Sequence, residues 1–109
     1  GDEVIRQVAR ITREMVRDTD YAGRYGGEEF VVLLADTPLQ GASQFAERLR
    51  MAIEQLQISH EQLSLQCSVS VGVACIRTDM ANHQALIEAA DKALYQAKSA
   101  GRNQVVTSP

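Results

Sequence analysis

The sequence predicts a mixed α/β domain in which helices pack on a largely antiparallel sheet. Segments with helical apolar spacing and segments of strand character follow one another in the order α-ββ-α-β-α-β. The 109 residues suffice for one hydrophobic core but are too few for two. The sequence contains no internal repeat, long linker or low-complexity segment. We therefore expect a single domain over residues 1–109.

The first part of the chain predicts a helix followed by a β-hairpin. Apolar residues recur at helical spacing from Asp2 to about Val16. The hairpin is expected to pair Tyr21–Tyr25 with Glu29–Ala35 across the Gly26-Gly27 turn. Its second arm is a continuous apolar run, which predicts that both of its faces are covered. We assign all the tyrosines of the chain to packing, namely Tyr21, Tyr25 and Tyr95.

The middle of the chain predicts a second helix and a long strand. Thr37 suits an N-cap, Pro38 suits the first helical position and Gln40 completes a capping box, so a helix is expected from there to about Leu56. Apolar and small or polar residues then alternate from Leu63 to Cys75, which is the pattern of a strand. So long an alternation predicts a break or a hairpin near its start.

The end of the chain predicts a third helix and a short final strand. Asn82 suits the N-cap of this helix, and Gly101 marks its end. Lys98 then lies in the last helical turn, where a positive charge complements the helix dipole. The strand is expected over Gln104 to Thr107.

Charge and cysteine content restrict the partners and the location of the protein. The net charge of −3 provides no broad basic surface for a nucleic acid polymer or an anionic membrane. The apolar runs fall well short of the ~20 residues that span a bilayer. Cys67 and Cys75 lie eight residues apart, too far to bridge within one extended strand. We expect both to be reduced, buried small hydrophobes in a cytoplasmic protein.

The hairpin turn carries a motif that composition does not explain, Tyr25-Gly26-Gly27-Glu28-Glu29-Phe30. Its two glycines allow a tight turn and the close approach of a ligand. Two carboxylates directly after them suit a hard cation such as Mg²⁺, which binds phosphate oxygens. A plain hairpin with solvated glutamates is equally consistent with these residues alone. Because neighbours in a strand point to opposite faces, Glu28 and Glu29 share one metal site only if the turn is irregular.

Five ordered segments of the chain resemble the GGDEF family of diguanylate cyclases, in its Glu-for-Asp form. They resemble the glycine-aspartate that opens the helix before the signature, the inhibitory RxxD motif, the signature itself, a late SIGVA-type strand, and the closing helix and turn. The segments are, in that order, residues 1–5, 17–20, 26–30, 70–74 and 90–103. This resemblance implies a palm-type α+β fold of the nucleotide-cyclase, ferredoxin-like kind, with helices flanking a central, mainly antiparallel sheet.

The resemblance implies an enzyme that condenses two GTP molecules into cyclic di-GMP and releases pyrophosphate, with Mg²⁺ or Mn²⁺ as cofactor. Glu28 and Glu29 would be catalytic metal ligands, and one of them would also assist deprotonation of the 3′-hydroxyl. The remaining substrate contacts would come from a guanine-binding carboxylate, two glycines that leave room for the nucleotide, and two cations on the terminal phosphates. These residues are Asp2, Gly26, Gly27, Lys98 and Arg102.

The resemblance also implies an inhibitory site for cyclic di-GMP, built from Arg17, Asp20 and Arg48. The arginines would contact phosphates or guanine acceptor edges, and Asp20 would accept hydrogen bonds from guanine N–H groups. Without the resemblance, Arg17 and Asp20 are equally a surface ion pair of little energetic weight, and Arg48 one more solvated charge.

Compared with the family, the chain lacks the N-terminal part of the domain, including a metal-binding aspartate. We therefore expect the 109-residue chain alone not to turn over GTP. Catalysis is expected to need a homodimer, because each subunit would carry one GTP. The parent protein is expected to carry an N-terminal sensor domain, and a membrane tether is compatible with this. Two alternatives stay open: a module that binds cyclic di-GMP without catalysis, and a dimerisation domain that binds no nucleotide.

Overall fold

The computed structural model describes residues 2–77 and 80–109. The described residues form three helices and six strands, which is the predicted α/β class with two strands more than the predicted order contains. In chain order the elements are α1 (Asp2–Met15), β1 (Tyr21–Gly26), β2 (Glu29–Leu33), α2 (Leu39–Glu54), β3 (Ile58–His60), β4 (Leu63–Leu65), β5 (Val71–Val73), α3 (His83–Ser99) and β6 (Val105–Thr107). Gly1, which opens the first family-like segment, lies outside the described residues.

The strands of the described part form three two-stranded ladders. β1 pairs with β2 and β3 with β4, both antiparallel, whereas β5 and β6 are parallel. The sheet is thus mainly antiparallel, as predicted, but it is divided into separate ladders. The break predicted in the long alternation is present, because β4 ends at Leu65 and β5 begins at Val71.

The largest core cluster lies between α1, α2 and the β1–β2 hairpin. Val8 of α1 packs with three buried side chains of α2, those of Phe45, Leu49 and Ile53. Partly buried apolar residues from the hairpin and from the segment after β4 complete the cluster. Burial of this apolar surface stabilises the hairpin against the two helices.

The β1–β2 hairpin is covered on one face only, so the prediction that both faces of its second arm are covered is wrong. Phe30 and Val32 pack against the core, whereas Leu33 is 48% exposed. Side chains of a strand alternate between its two faces, so Leu33 lies on the face opposite to that of Phe30 and Val32. The assignment of the tyrosines to packing is also wrong: Tyr21, Tyr25 and Tyr95 are 57%, 60% and 73% exposed.

The two predicted helix caps differ in outcome. Asn82 caps α3 as predicted, since its side chain accepts a hydrogen bond from the Ala85 amide at 3.1 Å. Thr37 does not cap α2: Pro38 holds the N-cap position without a side-chain bond. The Thr37 hydroxyl instead donates to the Ala35 carbonyl at 2.8 Å. The Thr37 oxygen accepts a hydrogen bond from Arg17 Nη2 at 2.9 Å, and not from a helix amide as an N-cap would.

The cysteines are unpaired and each is half-buried. Cys67 packs against the core cluster, where burial raises the pKa of its thiol. The prediction of reduced, apolar cysteines is confirmed, although neither is fully buried. In the described part of the chain, none of the helices has the length and apolarity that crossing a bilayer requires.

α3 packs directly on β5 because β5 carries a glycine. A Cβ atom at Gly72 would collide with the carbonyl oxygen of Ala90 and the amide nitrogen of Leu94. The facing helix residues are also small, and Ala93 and Ala97 are buried. This backbone-to-backbone packing fixes α3, and with it Lys98 in its last turn, against the β5–β6 ladder.

Candidate functional site

The hairpin turn that carries the glutamate pair is irregular. β1 ends at Gly26, which pairs with Glu29, and the pairing register shifts between Arg24 and Gly26. Gly27 has a φ of +52°, a conformation that favours glycine. The Arg24 side chain donates a hydrogen bond from Nε to the Gly27 carbonyl at 2.8 Å and so stabilises the turn. The irregularity that a shared site for Glu28 and Glu29 requires is therefore present.

The turn leaves open space where the family resemblance places a nucleotide. A Cβ atom at Gly26 or Gly27 would have no neighbouring atom within 4 Å. The backbone is thus accessible on this side, and Glu28, in the turn itself, is exposed.

Two predicted site residues from distant parts of the chain come together at this edge of the fold. Lys98 Nζ lies 3.7 Å from a carboxylate oxygen of Glu29, and the two side chains are 38% and 45% exposed. An ion pair this long and this exposed contributes little to stability. It does place a cation beside the glutamate pair, where a phosphate group would need one.

Arg102 lies just beyond α3 in an unusual turn. Gly101, Arg102 and Asn103 have φ values of +118°, +67° and +47°, so three consecutive residues are left-handed. The Arg102 amide donates to the Ala97 carbonyl at 2.9 Å and closes the end of the helix. Within the described part of the chain, no hydrogen bond or ion pair links Arg102, Asp2 or Glu28 to the Glu29–Lys98 pair.

The donor set at this edge fits Mg²⁺ only in part. In residues 2–77 and 80–109, no group of three or more His, Cys, Asp or Glu side chains forms a metal site. Glu28 and Glu29 supply two adjacent carboxylates, and protein-bound Mg²⁺ commonly takes one or two carboxylates together with phosphate oxygens and water. The residues present therefore fit an ion that is shared with a bound nucleotide.

A second group of predicted residues is more completely assembled. Asp20 Oδ2 accepts hydrogen bonds from the backbone amide and Nε of Arg17 at 2.9 and 3.1 Å, and Oδ1 accepts from Arg17 Nη2 at 3.1 Å. The Ala35 amide donates to Oδ1 at 2.9 Å. The Asp20 side chain is 2% exposed and that of Arg17 is 59% exposed. These bonds, those from Arg17 first, lower the pKa of Asp20 to about 2.

Two further acceptors fix the Arg17 guanidinium. Its Nη2 donates to the Ala35 carbonyl at 2.8 Å and to the Thr37 hydroxyl at 2.9 Å. Sequence reasoning missed this role of Thr37, because the same residue also fits an N-cap pattern. It missed Arg24 as well, since nothing in the sequence distinguishes an arginine that supports a turn from a solvated one.

The three residues of the predicted inhibitory site line one cavity of about 180 Å³, which we call the RxxD cavity. Arg17, Asp20 and Arg48 contribute its polar wall. The Arg48 guanidinium lies 5.9 Å from the centroid of the Phe45 ring, which also lines the cavity. A carboxylate has about four acceptor positions, and Asp20 already uses them on Arg17 and Ala35. In the described structure Asp20 therefore orients Arg17.

A larger groove of about 510 Å³ runs between α1 and the hairpin. Arg6, Arg10 and Arg13 of α1 line one side and Arg24 of β1 lines the other. None of the described residues predicted to bind metal, substrate or product lies on it. Its volume alone thus does not identify it as the site of the predicted chemistry.

Comparison with known proteins identifies the relatives of the chain. The family described as "Diguanylate cyclase, GGDEF domain" matches residues 1–104. Diguanylate cyclase A of Treponema denticola is 40% identical over 108 residues, which cover 99% of this chain and 29% of that protein. The chain thus spans less than a third of the length of this curated relative.

Solved structures give the same result. The GGDEF domain of DgcB from Caulobacter crescentus, in complex with c-di-GMP, superposes with a TM-score of 0.91 at 29% identity, covering 98% of this chain and 64% of that one. The active GGEEF domain of a diguanylate cyclase from Vibrio cholerae gives a TM-score of 0.85 at 28% identity, with coverage of 99% and 68%. The fold predicted from the sequence is confirmed.

Proposed function

The chain belongs to the diguanylate cyclase GGDEF-domain family, and from this premise we propose that the protein containing it condenses two GTP molecules into cyclic di-GMP and pyrophosphate. The observation that carries the proposal is the meeting of Glu29 and Lys98 beside the open turn. A carboxylate for a metal ion and a cation for phosphate then lie at one edge of the fold. The Vibrio cholerae relative, described as an active GGEEF domain, supports activity with glutamate in this position.

In this proposal the nucleotide lies over the open backbone of Gly26 and Gly27. Lys98 and Arg102 hold its terminal phosphates as cations, and Asp2 at the start of α1 accepts hydrogen bonds from the guanine edge. Charge-assisted bonds of this type are stronger than neutral ones and suit a triphosphate. The exposure of these side chains is consistent with a site that is completed by its ligand.

Glu28 and Glu29 would hold Mg²⁺ or Mn²⁺ together with the phosphates of GTP. When bound, the ion would supply Lewis-acid stabilisation of charge on the phosphoryl group. Glu29 would exchange its ion pair with Lys98 for the metal, which leaves Lys98 free for phosphate. Each domain would carry one GTP, so the condensation needs two domains that face each other. Use of GTP also places the reaction in the cytoplasm.

We further propose that the RxxD cavity binds cyclic di-GMP as a feedback inhibitor. Arg17 and Arg48 would contact its phosphates or guanine acceptor edges, and Asp20 would keep Arg17 in place. The cavity of about 180 Å³ is smaller than a pocket that encloses a whole ligand of this size, so it would receive one part of the product. The relative solved in complex with c-di-GMP supports the ligand class. If catalysis is absent, this binding is the function that remains.

Incubation with GTP and Mg²⁺, followed by chromatography, tests the proposed reaction. The intact protein is expected to yield cyclic di-GMP and pyrophosphate in a 1:2 ratio, because two GTP molecules each release one pyrophosphate. The 109-residue chain alone is expected to yield neither. An intact protein that binds cyclic di-GMP but leaves GTP unchanged would replace the enzyme by the binding module. Turnover by the 109-residue chain would contradict the expectation that this chain alone does not turn over GTP.

A further inference from the structure

A partly buried polar cluster links the middle of α2 to the turn after α3. Arg50 donates from Nε and Nη2 to the two carboxylate oxygens of Glu47, each at 2.7 Å, and its Nη1 lies 3.6 Å from Glu54. The same Nη1 donates to the side-chain oxygen of Asn103 at 2.9 Å. The side-chain NH₂ group of Asn103 in turn donates to the carboxylate of Glu54. Only 14% of the Arg50 side chain is exposed, so this is not a solvated surface charge.

The turn that this cluster reaches is conformationally costly. Arg102 and Asn103 are both left-handed, and arginine has no preference for that conformation, whereas asparagine tolerates it. Such backbone states persist when surrounding contacts determine them. Ser70 also holds the turn, in addition to Arg50 and Glu54. Its hydroxyl oxygen accepts a hydrogen bond from the backbone N–H of Asn103 at 3.2 Å. Asn103 is therefore the residue through which α2 and Ser70 hold the turn.

The charges around Arg50 exclude it from binding phosphate itself. Two carboxylates, those of Glu47 and Glu54, surround one guanidinium. The cluster therefore has a net negative charge and repels anions. Arg102, one residue before Asn103, is exposed and free of such partners in the described structure. The two arginines are thus suited to different roles.

We propose that Arg50 is a positioning residue that acts through Asn103 to hold Arg102 where it can contact the terminal phosphates of GTP. This inference rests on the proposed function. It also gives α2 a double role, because Arg48 lies in the RxxD cavity two residues before Arg50. At about 100° per residue, the two side chains leave the helix about 200° apart, on nearly opposite sides. One helix therefore carries a residue of each proposed site.

The test compares Arg50→Met and Asn103→Gly with wild type in the intact protein. Methionine keeps an unbranched apolar stem in place of that of Arg50 but makes none of its hydrogen bonds. Glycine suits the left-handed φ of Asn103 but lacks its side-chain amide. Both variants are expected to bind GTP roughly 10- to 150-fold more weakly, the effect of losing one charge-assisted contact. Affinity for GMP, which lacks the terminal phosphates, is expected to change less than about twofold on the same scale. Arg10→Met is the control, since Arg10 forms an i,i+4 pair on the surface of α1.

Amide hydrogen exchange supplies a readout that does not depend on nucleotide. Arg50→Met is expected to speed exchange at Arg102 and Asn103 by at least about tenfold, while the Val32 amide in the hairpin is unchanged. Equal losses of GTP and GMP affinity, or an unchanged exchange rate in the turn, would overturn the inference. If wild type binds no GTP, the proposed function and the phosphate role of Arg102 fall together. Faster exchange in Arg50→Met would still establish that Arg50 fixes the turn.

Discussion

The edge of the fold formed by residues 26–29 and Lys98, which we call the signature edge, and the RxxD cavity are both proposed ligand sites. They are built in opposite ways. Around the cavity, Asp20 is nearly fully buried and joins Arg17 to the end of the hairpin through short hydrogen bonds. At the signature edge, a single 3.7 Å contact joins the half-exposed side chains of Glu29 and Lys98. In the first region, hydrogen bonds fix the side chains of Asp20 and Arg17. In the second, the side chains of Glu29 and Lys98 are fixed by this one weak contact and by the positions of their backbones.

The difference indicates which site depends on its ligands. A preformed cluster binds with a small cost of ordering, because its side chains are already fixed. Exposed side chains with a weak ion pair between them must be ordered by the metal and phosphate that they bind. We therefore expect substitutions at the signature edge to act on turnover, and substitutions around the RxxD cavity to act on product affinity.

The largest effect is expected from Glu29→Gln in the intact protein. The amide keeps the size of the side chain but removes the charge that a metal ion requires, so turnover should fall at least about 100-fold, as for loss of a group that stabilises transition-state charge. Initial rates of pyrophosphate release measure it, and thermal unfolding checks the fold. Glu14→Gln on the exposed face of α1 is the matched control. Near-normal rates for Glu29→Gln would make Glu29 a solvated hairpin residue and leave Glu28 alone with the metal role.

The next effect is expected from Arg17→Ala, which removes one of the two arginines that line the RxxD cavity. A charge-assisted contact contributes about 1.5–3 kcal/mol, so cyclic di-GMP should bind roughly 10- to 150-fold more weakly. Calorimetric titration measures the affinity, with Arg13→Ala on α1 as control. If Arg17→Ala binds cyclic di-GMP as tightly as wild type, Arg17 and Asp20 form only a surface ion pair. The contrast between the two regions would then be lost.

A smaller effect is expected from Thr37→Val, which tests whether the cavity is preformed. Valine has the shape of threonine but cannot accept the hydrogen bond from Arg17. Loss of one modest hydrogen bond should weaken cyclic di-GMP binding by roughly 2- to 12-fold without altering turnover at low product concentration. Thr37→Ser keeps the hydroxyl and should bind like wild type. If valine and serine bind alike, Arg17 does not need this support.

The smallest effect is a pH dependence of stability at Asp20. Its pKa is about 2 in the folded protein, against an ordinary value of 3.8. Because the folded pKa is depressed, its stabilising contribution is complete above the unfolded value and is lost as the pH falls from about 4 towards 2. The difference in unfolding free energy between wild type and Asp20→Asn should be constant from pH 7 to about 5 and shrink below about 4. Urea unfolding at several pH values measures it. A difference that is unchanged at pH 3 would contradict the ion pair.

Local patterns predicted most of the elements because their causes are local. The Asn82 cap, the glycine that ends α3 and the hairpin around Gly26 and Gly27 each depend on a few adjacent residues. The proximity of Glu29 and Lys98, by contrast, could be predicted only from the family resemblance. No periodicity indicates that residues 69 positions apart will touch.

The missed features share a physical cause, which is competition between partners. Thr37 could cap a helix or bond to Ala35 and Arg17, and only the folded chain decides between them. Arg50 could be solvated, but Asn103, which lies 53 positions further along the chain, gives it a partly buried partner. The exposed tyrosines, two on β1 and one on α3, were missed because a tyrosine ring is compatible with either burial or exposure, and only the folded chain decides between them.

Gly72, on which α3 packs, fixes the distance between α3 and β5 and thereby the position of Lys98 at the signature edge. At Gly72 the strand and the helix touch backbone to backbone, so no flexible side chain lies between them to absorb a change in spacing. Lys98 lies one turn beyond Leu94, and an α-helix rises about 1.5 Å per residue as a nearly rigid rod. If α3 moves away from β5 at Gly72, Lys98 therefore moves by nearly the same distance. Since a misplacement of about 1 Å can slow a reaction about 100-fold, the absence of a single methyl group at Gly72 keeps the cation in register with Glu29.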